Sequence, residues 1–317
     1  MKVIQIYDNI LFWSNNYYKI YKKINPDIVL HNAAKPNIFG GIICRILKIP
    51  VINNISGLGY ILMNSSLKMK IVQLIYRFSQ QKVTKIFFQN KQDYSLFINK
   101  RIVKKDQAVI IPGSGVDTAR FNPSKKLKKQ NDELLKFCFI GRLITDKGIY
   151  EYVEAAKMIL KKNKNVKFYI LGELYKSHPT SITKRELDSW KKENIITYLG
   201  KTDRVENVLG KFDCIILPSY REGMSRVLLE SASMGIPIIT TNVPGCKEIV
   251  DENQNGFLCK VKDPFDLADK IERFIKLEPE RRKQMGVYGR KKIESEFDEE
   301  IVINTYIKTI NDIITKK

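Results

Sequence analysis

The fold is decided by the stretch Leu217-Pro-Ser-Tyr-Arg-Glu222-Gly-Met-Ser-Arg-Val-Leu-Leu-Glu230-Ser-Ala. The apolar run at 213–217 predicts a strand, the Glu-Gly pair predicts a tight loop, and a helix is predicted to begin near Ser225. Glu222 therefore lies at the carboxyl end of a strand, and Glu230 lies about one and a half turns into the helix. Open α/β sheets bind ligands at this edge, where a helix N-terminus also offers backbone N–H groups to a phosphate.

These two glutamates are the first candidate site residues. One carboxylate can accept a hydrogen bond from a sugar hydroxyl, and the other can bind a ribose diol. Taken singly, Glu222 and Glu230 would be interpreted as ordinary surface charges, because glutamate is common on surfaces. Their spacing within a strand-loop-helix unit favours a ligand site instead.

Strand and helix patterns alternate along the whole chain. The predicted strands are 2–6, 27–31, 50–55, 83–89, 108–112, 136–140, 166–171, 195–198, 213–217, 236–240 and 257–259. The predicted helices are 15–24, 38–47, 66–80, 149–162, 183–192, 204–210, 225–234, 265–276 and 298–315. Repeated β-α alternation indicates an α/β fold of doubly wound parallel sheets with helices on both faces.

The length of 317 residues predicts two domains. The charged run at 123–132 is polar and aperiodic, so it is the predicted linker between a first domain at 1–123 and a second at 134–297. The last segment, 298–317, carries an apolar stripe that must be buried. It packs either back onto the first domain or onto its own domain, and the sequence leaves both open.

Composition indicates a protein of a reducing compartment. The five cysteines form no metal-binding spacing and lie in apolar context, as small core residues do. No signal peptide is visible and no apolar run is long enough to span a membrane, so we expect a cytoplasmic protein that is soluble or bound peripherally to a membrane.

Charge is spread unevenly along the chain. The formal net charge is +21, and residues 1–120 hold 18 Lys and Arg against five Asp and no Glu, a net +13. A strongly basic first half predicts a polyanionic partner, either an anionic membrane surface or a nucleic acid. A compositional bias of the genome is the alternative. Nucleic acid is disfavoured because the aromatic residues follow strand and helix patterns rather than standing between basic side chains.

A second motif supplies cations. Gly141-Arg142 ends a predicted strand, and Lys147-Gly148 precedes the next helix. Gly141 permits close approach of a ligand to the backbone, while Arg142 and Lys147 can bind phosphate oxygens and neutralise a diphosphate. Together with the two glutamates, this pattern predicts a diphosphate site.

Weaker signals accompany these motifs. Gly172 ends another strand and either accommodates a nucleoside or only makes a turn. In the first half, Gly57 and Gly59 form a Gly-x-Gly that either holds a phosphate or makes a turn. His31 ends a strand, with Lys35 four residues later; a structural histidine is the more frequent outcome.

These motifs together resemble family 4 of the retaining glycosyltransferases, which have the two-domain GT-B fold. The resemblance covers nearly the whole chain and is carried by Gly141-Arg142…Lys147-Gly148, Glu222-Gly-Met-Ser…Glu230 and Pro244-Gly245…Glu248. It implies two Rossmann-like domains that face a cleft. Lys35-Pro-Asn-Ile-Phe-Gly and Ile55-Ser-Gly-Leu-Gly further resemble a bacterial branch that acts in polysaccharide assembly.

The resemblance also implies residue roles. Arg142 and Lys147 would hold the diphosphate of a nucleotide-sugar donor, with UDP as the expected nucleotide, Glu222 the donor sugar and Glu230 the ribose. The donor site would also include Gly141, Gly172, Gly223, Met224 and Ser225, and the acceptor side Lys35, Gly57 and Gly59.

The implied reaction transfers a hexose or N-acetylhexosamine, with retention, to a sugar linked to a polyprenyl diphosphate. No metal or cofactor is expected, because the cations and the helix N-terminus take the place of a metal. The implied location is the cytoplasmic face of the inner membrane.

One departure from the family is visible. The resemblance leads us to expect that the family's first strand, glycine-bearing loop, helix and second strand are missing and that the first domain is incomplete. A misassigned start or a truncated gene is favoured over a short natural variant. The alternatives to transfer are a catalytically inactive binding or assembly protein and, less favoured, a nucleotide-sugar epimerase.

Overall fold

The computed structural model describes residues 14–57, 67–125, 134–175 and 178–315. The predicted strand at 2–6, Gly59 and the charged run from residue 126 lie outside these ranges. The chain divides into two compact units. The first ends at Ser114 and includes the chain again from Val302, while the second spans Gly115–Ile301.

Ten strands are described. They are β1 (Val29–His31), β2 (Val51–Ile55), β3 (Lys85–Phe88), β4 (Ala108–Ile110), β5 (Leu135–Ile140), β6 (Val166–Leu171), β7 (Thr197–Tyr198), β8 (Cys214–Leu217), β9 (Ile238–Thr241) and β10 (Gly256–Cys259). Every described pairing in both sheets is parallel, which confirms the predicted α/β class.

The helices follow the strands along the chain. The described helices are α1 (14–24), α2 (Gly41–Leu47), α3 (Leu67–Gln80), α4 (Lys91–Asn99), α5 (Ile149–Lys162), α6 (Lys184–Lys192), α7 (Glu206–Leu209), α8 (Arg226–Ser233), α9 (Pro264–Ile275), α10 (Pro279–Glu296) and α11 (Glu299–Ile314). A π-helical turn at Pro36–Gly40 leads directly into α2. Helices α4 and α10 were not predicted.

In the first unit, the described strands lie in the order β1-β2-β3-β4, with apolar clusters on both faces. Because alternate residues of a strand face opposite sides, Ile86 and Phe88 of β3 join one cluster and Phe87 the other. The second cluster includes Val302 of α11, and the ring of Tyr306 lies 4.5 Å from that of Phe87. The apolar stripe of the last helix therefore packs on the first unit.

A buried polar network runs through the first unit. Tyr21 Oη lies 2.7 Å from His31 Nε2, and His31 Nδ1 lies 2.8 Å from Asn53 Oδ1. Asn53 Nδ2 donates to Gln80 Oε1 at 2.8 Å, so the Asn53 carbonyl oxygen faces the imidazole and accepts its Nδ1–H. Burial lowers the pKa of His31, which keeps the ring neutral with Nε2 accepting from Tyr21. His31 is thus a satisfied structural histidine.

In the second unit, the strands lie in the order β10-β9-β8-β5-β6-β7. The order reverses between β5 and β8, as in doubly wound sheets. Strand β5, Leu-Lys-Phe-Cys-Phe-Ile, is buried except for its lysine, as expected of a strand covered on both faces. This sheet places the ends of β5 and β8 side by side.

Helix α10 was not predicted because its sequence gives little periodic signal. It buries Met285 and Ile293 but carries few other apolar residues, so its sequence lacks a clear apolar stripe. Arg290 instead fixes it, donating through Nη1 to the carbonyl oxygens of Thr118 at 2.9 Å and Ser233 at 2.9 Å. Distant polar contacts of this kind leave no periodic signal in sequence.

We expect Gly40→Ala to destabilise the first unit by about 1–3 kcal/mol, because it overpacks a filled site. A Cβ atom there would lie 2.5 Å from His31 Nε2 and 3.0 Å from Tyr21 Oη. Gly41→Ala is the matched control, since its nearest atoms are 3.6 Å away and alanine favours helix. Calorimetric unfolding of the full chain measures both, and equal losses in the two variants would contradict the tight packing at Gly40.

Candidate active site

The candidate site lies at the carboxyl ends of β5 and β8, where the strand order of the second sheet reverses. The two strands pair directly, with Cys138 opposite Ile215. One loop leaves β5 at Gly141, and the other leaves β8 at Pro218. A crevice outside such a reversal is where parallel sheets bind their ligands.

These two loops contact each other through their backbones. The Tyr220 N–H donates to the Asp146 carbonyl oxygen at 2.9 Å, and Ser219 Oγ donates to the same oxygen at 3.2 Å. Gly148 has a φ of 75°, and a Cβ atom there would overlap the carbonyl group of Pro218. Only glycine meets both conditions without strain, so residue 148 sets the distance between the loops.

The loop after β9 holds the other side of the β8 loop. The Glu222 N–H donates to the Pro244 carbonyl oxygen at 3.1 Å, and the Ser225 N–H donates to that of Gly245 at 2.8 Å. Gly245 has a φ of 77°, and a Cβ atom there would lie 2.6 Å from the Glu222 carbonyl. Glu248 Oε2 accepts from the Gly245 N–H at 2.8 Å and closes this turn. Glu222 is therefore positioned from both sides.

Lys147 and Glu222 form a direct ion pair between the β5 and β8 loops. Lys147 ends the short 3-10 turn Thr145–Lys147, which precedes α5. Its side chain is 19% exposed and that of Glu222 is 12% exposed, so water screens the pair only in part. A cation and a carboxylate thus meet at one partly buried point.

Glu230 lies on α8 in a different charged environment. Its Oε1 lies 3.6 Å from Arg226 Nη2, and its side chain is 13% exposed. Burial raises the pKa of Glu230, and the positive charges of Arg226 and Arg120 offset part of that rise. Arg120 in turn pairs with Glu206 at 3.0 Å. The sequence missed Arg120 and Glu206, because the contact joins positions 86 residues apart and neither follows a recognisable motif.

The remaining donor-side residues lie at the ends of neighbouring strands. Arg142 is exposed, with its guanidinium carbon 5.9 Å from the centre of the Tyr175 ring. The Gly141 N–H donates to the Leu171 carbonyl oxygen at 3.0 Å. A Cβ atom at Gly172 would overlap the Gly141 carbonyl oxygen, so Gly172 is needed for the close packing of the β5 and β6 ends.

The positions of the other predicted site residues give less support for a role in ligand binding. Gly223 and Met224 are half-buried in the β8 loop, while Ser225 is buried and its N–H already donates to Gly245. In the first unit, Lys35 and Gly57 are exposed, the former just before the π-helical turn and the latter just after β2.

Among residues 14–57, 67–125, 134–175 and 178–315, no cluster of three His, Cys, Asp or Glu side chains could hold a metal ion. Within the same ranges, no helix combines the length and apolar character needed to cross a bilayer.

Comparison with known families gives two matches. Residues 120–292 match the model described as "Glycosyl transferases group 1", and residues 7–90 match the one described as "Glycosyl transferase 4-like". The first match contains the Lys147–Glu222 pair, Arg142 and Glu230.

Curated relatives extend over most of the chain. The capsular polysaccharide biosynthesis glycosyltransferase CapM of Staphylococcus aureus is 26% identical, over 91% of this chain and 79% of its own length. The N,N'-diacetylbacillosaminyl-diphospho-undecaprenol alpha-1,3-N-acetylgalactosaminyltransferase of Campylobacter jejuni is also 26% identical, over 93% of this chain and 80% of its own.

A solved structure supports the fold. HepE of Anabaena, in complex with UDP and glucose, superposes with a TM-score of 0.76 at 18% identity, covering 93% of this chain and 80% of that one. The two parallel α/β sheets and this likeness confirm the predicted GT-B class. Because one family model matches more than half of the chain, at residues 120–292, the protein belongs to the group 1 glycosyl transferases.

Proposed function

We propose that this glycosyltransferase moves a hexose or N-acetylhexosamine from a UDP-sugar to a saccharide linked to a polyprenyl diphosphate, with retention of configuration. The observation that carries the proposal is the contact between Lys147 and Glu222 at the sheet edge. It joins a cation that can bind phosphate to a carboxylate that can bind hydroxyl groups. A nucleotide sugar carries both phosphate and hydroxyl groups at its reactive end.

The donor assignment follows from the charges of the second unit. Lys147 would exchange Glu222 for a diphosphate oxygen, which frees the Glu222 carboxylate to accept hydroxyl hydrogen bonds from the sugar. Arg142 would bring its exposed guanidinium to the same diphosphate. Glu230 would bind the ribose diol, and Gly141 would allow the nucleoside to lie against the backbone. Binding of UDP by HepE supports UDP as the nucleotide.

The proposed step breaks the bond between the sugar C1 and the β-phosphate oxygen and forms a bond from C1 to an acceptor hydroxyl oxygen on the same face. The acceptor proton passes to the departing phosphate, so no separate base is needed. Negative charge grows on that phosphate as the bond breaks. The Lys147 ammonium stabilises it there, in a site with little water.

The acceptor assignment rests on the relatives. The Campylobacter jejuni relative is named for an acceptor linked to undecaprenyl diphosphate, and CapM is named for capsule synthesis. A polyprenyl carrier is anchored in a bilayer, so the chain would work at the cytoplasmic face of the membrane. Lys35 and Gly57 remain the proposed acceptor-side residues of the described chain.

We expect Lys147→Ala and Glu222→Ala each to lower kcat/KM for transfer by about 100-fold or more, the effect of losing a group that stabilises the transition state. Lys157→Ala is the matched control. It removes another lysine-glutamate contact, to Glu154 at 2.8 Å, but on the exposed face of α5, and should change the rate little. Radiolabelled transfer to a short-chain polyprenyl-diphosphate saccharide gives the rates.

The same assay separates the alternatives. Wild-type activity in both site variants would contradict the assigned roles. UDP binding without any transferred product from a panel of donors and acceptors would identify an inactive binding protein. Conversion of the UDP-sugar in the absence of acceptor would identify an epimerase.

A second expectation concerns pH. Because burial raises the pKa of Glu230, lowering the pH protonates this carboxyl earlier than an exposed one, and the neutral form binds a ribose diol less well. Affinity for a UDP-sugar should therefore fall as pH drops from about 7.5 toward the raised pKa, and Glu230→Gln should flatten that dependence.

Calorimetric titration with an intact UDP-sugar gives the affinities. Unlike free UDP, the sugar diester has no phosphate that titrates near neutral pH. An equally steep pH dependence in Glu230→Gln would show that another group is responsible.

A further inference from the structure

Helix α3 (Leu67–Gln80) exposes a face of large apolar side chains. Ile71, Leu74 and Phe78 point outward with 54%, 63% and 52% of their surface exposed, and Ile75 is 37% exposed. These residues are spaced three and four apart, so they form one continuous face. The side that faces the first unit carries Tyr76, Ser79 and Gln80, which are 5%, 3% and 0% exposed.

Polar contacts hold α3 in this orientation. Gln80 Nε2 donates to the Asn37 carbonyl oxygen at 3.0 Å, and Gln80 Oε1 accepts from Asn53 Nδ2 at 2.8 Å. Rotating the helix to bury its apolar face would leave these buried groups without partners, which is costly. The outward apolar face is therefore enforced by the network beneath it.

The end of α2 extends this apolar face. Ile46 is 61% exposed, and the guanidinium carbon of Arg45 lies 4.8 Å from the centre of the Phe78 ring. The docking face is defined here as Ile71, Leu74, Ile75 and Phe78 of α3 with Ile46 of α2. A contiguous apolar surface of this kind, in a soluble fold, marks an interaction site.

All the charged residues in the sequence around the docking face are basic. Residues 28–92 contain nine Lys or Arg and no Asp or Glu. Of these, Arg45, Lys48, Arg77 and Lys82 are exposed on or beside the two helices. An apolar face flanked by cations is the composition that binds the interface of an anionic bilayer.

We propose that the docking face binds the chain to an anionic lipid bilayer, with the α3 side chains entering the acyl boundary and the flanking Arg and Lys contacting lipid phosphates. Membrane binding would give the enzyme access to a membrane-anchored acceptor, and in this respect the inference rests on the proposed function.

Charge argues against a second copy of the chain as the occupant. Two copies joined through this face would bring together two segments, each with nine Lys or Arg and no Asp or Glu. Repulsion between like charges opposes that arrangement, whereas lipid phosphates neutralise both sets.

Vesicle flotation tests the proposal, with phosphatidylcholine alone or with about one third phosphatidylglycerol. Wild type should float with the anionic vesicles and much less with the neutral ones. Leu74→Gln with Phe78→Gln should weaken anionic binding by about tenfold or more, since two large apolar side chains lose their burial. Arg77→Gln should weaken it by about fivefold, the effect of one basic residue near the surface.

Phe265→Gln is the matched control, because Phe265 is 74% exposed but lies on α9 of the second unit. It should bind vesicles as wild type does. Circular dichroism melting checks that the α3 double variant retains its fold. Flotation uses neither donor nor acceptor, so its result does not depend on whether the chain transfers sugar.

Three outcomes would overturn the proposal. The first is a wild type that fails to float with anionic vesicles, and the second is an α3 double variant that binds them as well as wild type. The third is dimerisation through this face, with wild type forming dimers at rising concentration, the double variant staying monomeric and neither binding vesicles.

Discussion

Backbone contact between the loops that leave β5, β8 and β9 is the constraint on which the candidate active site depends. Gly148 and Gly245 allow it, because each adopts a left-handed conformation at a point where a Cβ atom would collide with the β8 loop. The loops then meet closely enough for Lys147 and Glu222 to pair across them. A cation and a carboxylate thus come together through the geometry of parallel strands, before any ligand contributes.

This part of the site could be predicted from sequence because it follows from local patterns. Glu222 and Lys147 each lie in the loop that follows an apolar strand, and parallel strands end at a common sheet edge. The surroundings of Glu230 could not be predicted, since Arg120 approaches it from a distant part of the chain. Likewise, α10 lacked a periodic stripe, because Arg290 secures it through carbonyl contacts. Contacts of single polar side chains across long sequence separations carry no pattern.

The first unit illustrates a different limit of sequence reasoning. An apolar stripe ordinarily predicts a buried helix face, but in α3 the stripe is exposed and the buried side carries Tyr76, Ser79 and Gln80. The network from Tyr21 through His31 and Asn53 to Gln80 decides the orientation, because Asn53 and Gln80 would lose their contact with each other if the helix turned. His31, a catalytic candidate by position alone, is instead a neutral member of this network. One set of buried polar contacts therefore fixes both the histidine and the outward apolar face.

The central claim is that the Lys147–Glu222 contact marks where the diphosphate and sugar of the donor are bound. A crystal structure of the chain with a bound UDP-sugar tests it most directly. We predict a diphosphate oxygen within hydrogen-bonding distance of Lys147 Nζ and a sugar hydroxyl donating to the Glu222 carboxylate. A donor bound elsewhere, with the Lys147–Glu222 pair still intact, would contradict the claim.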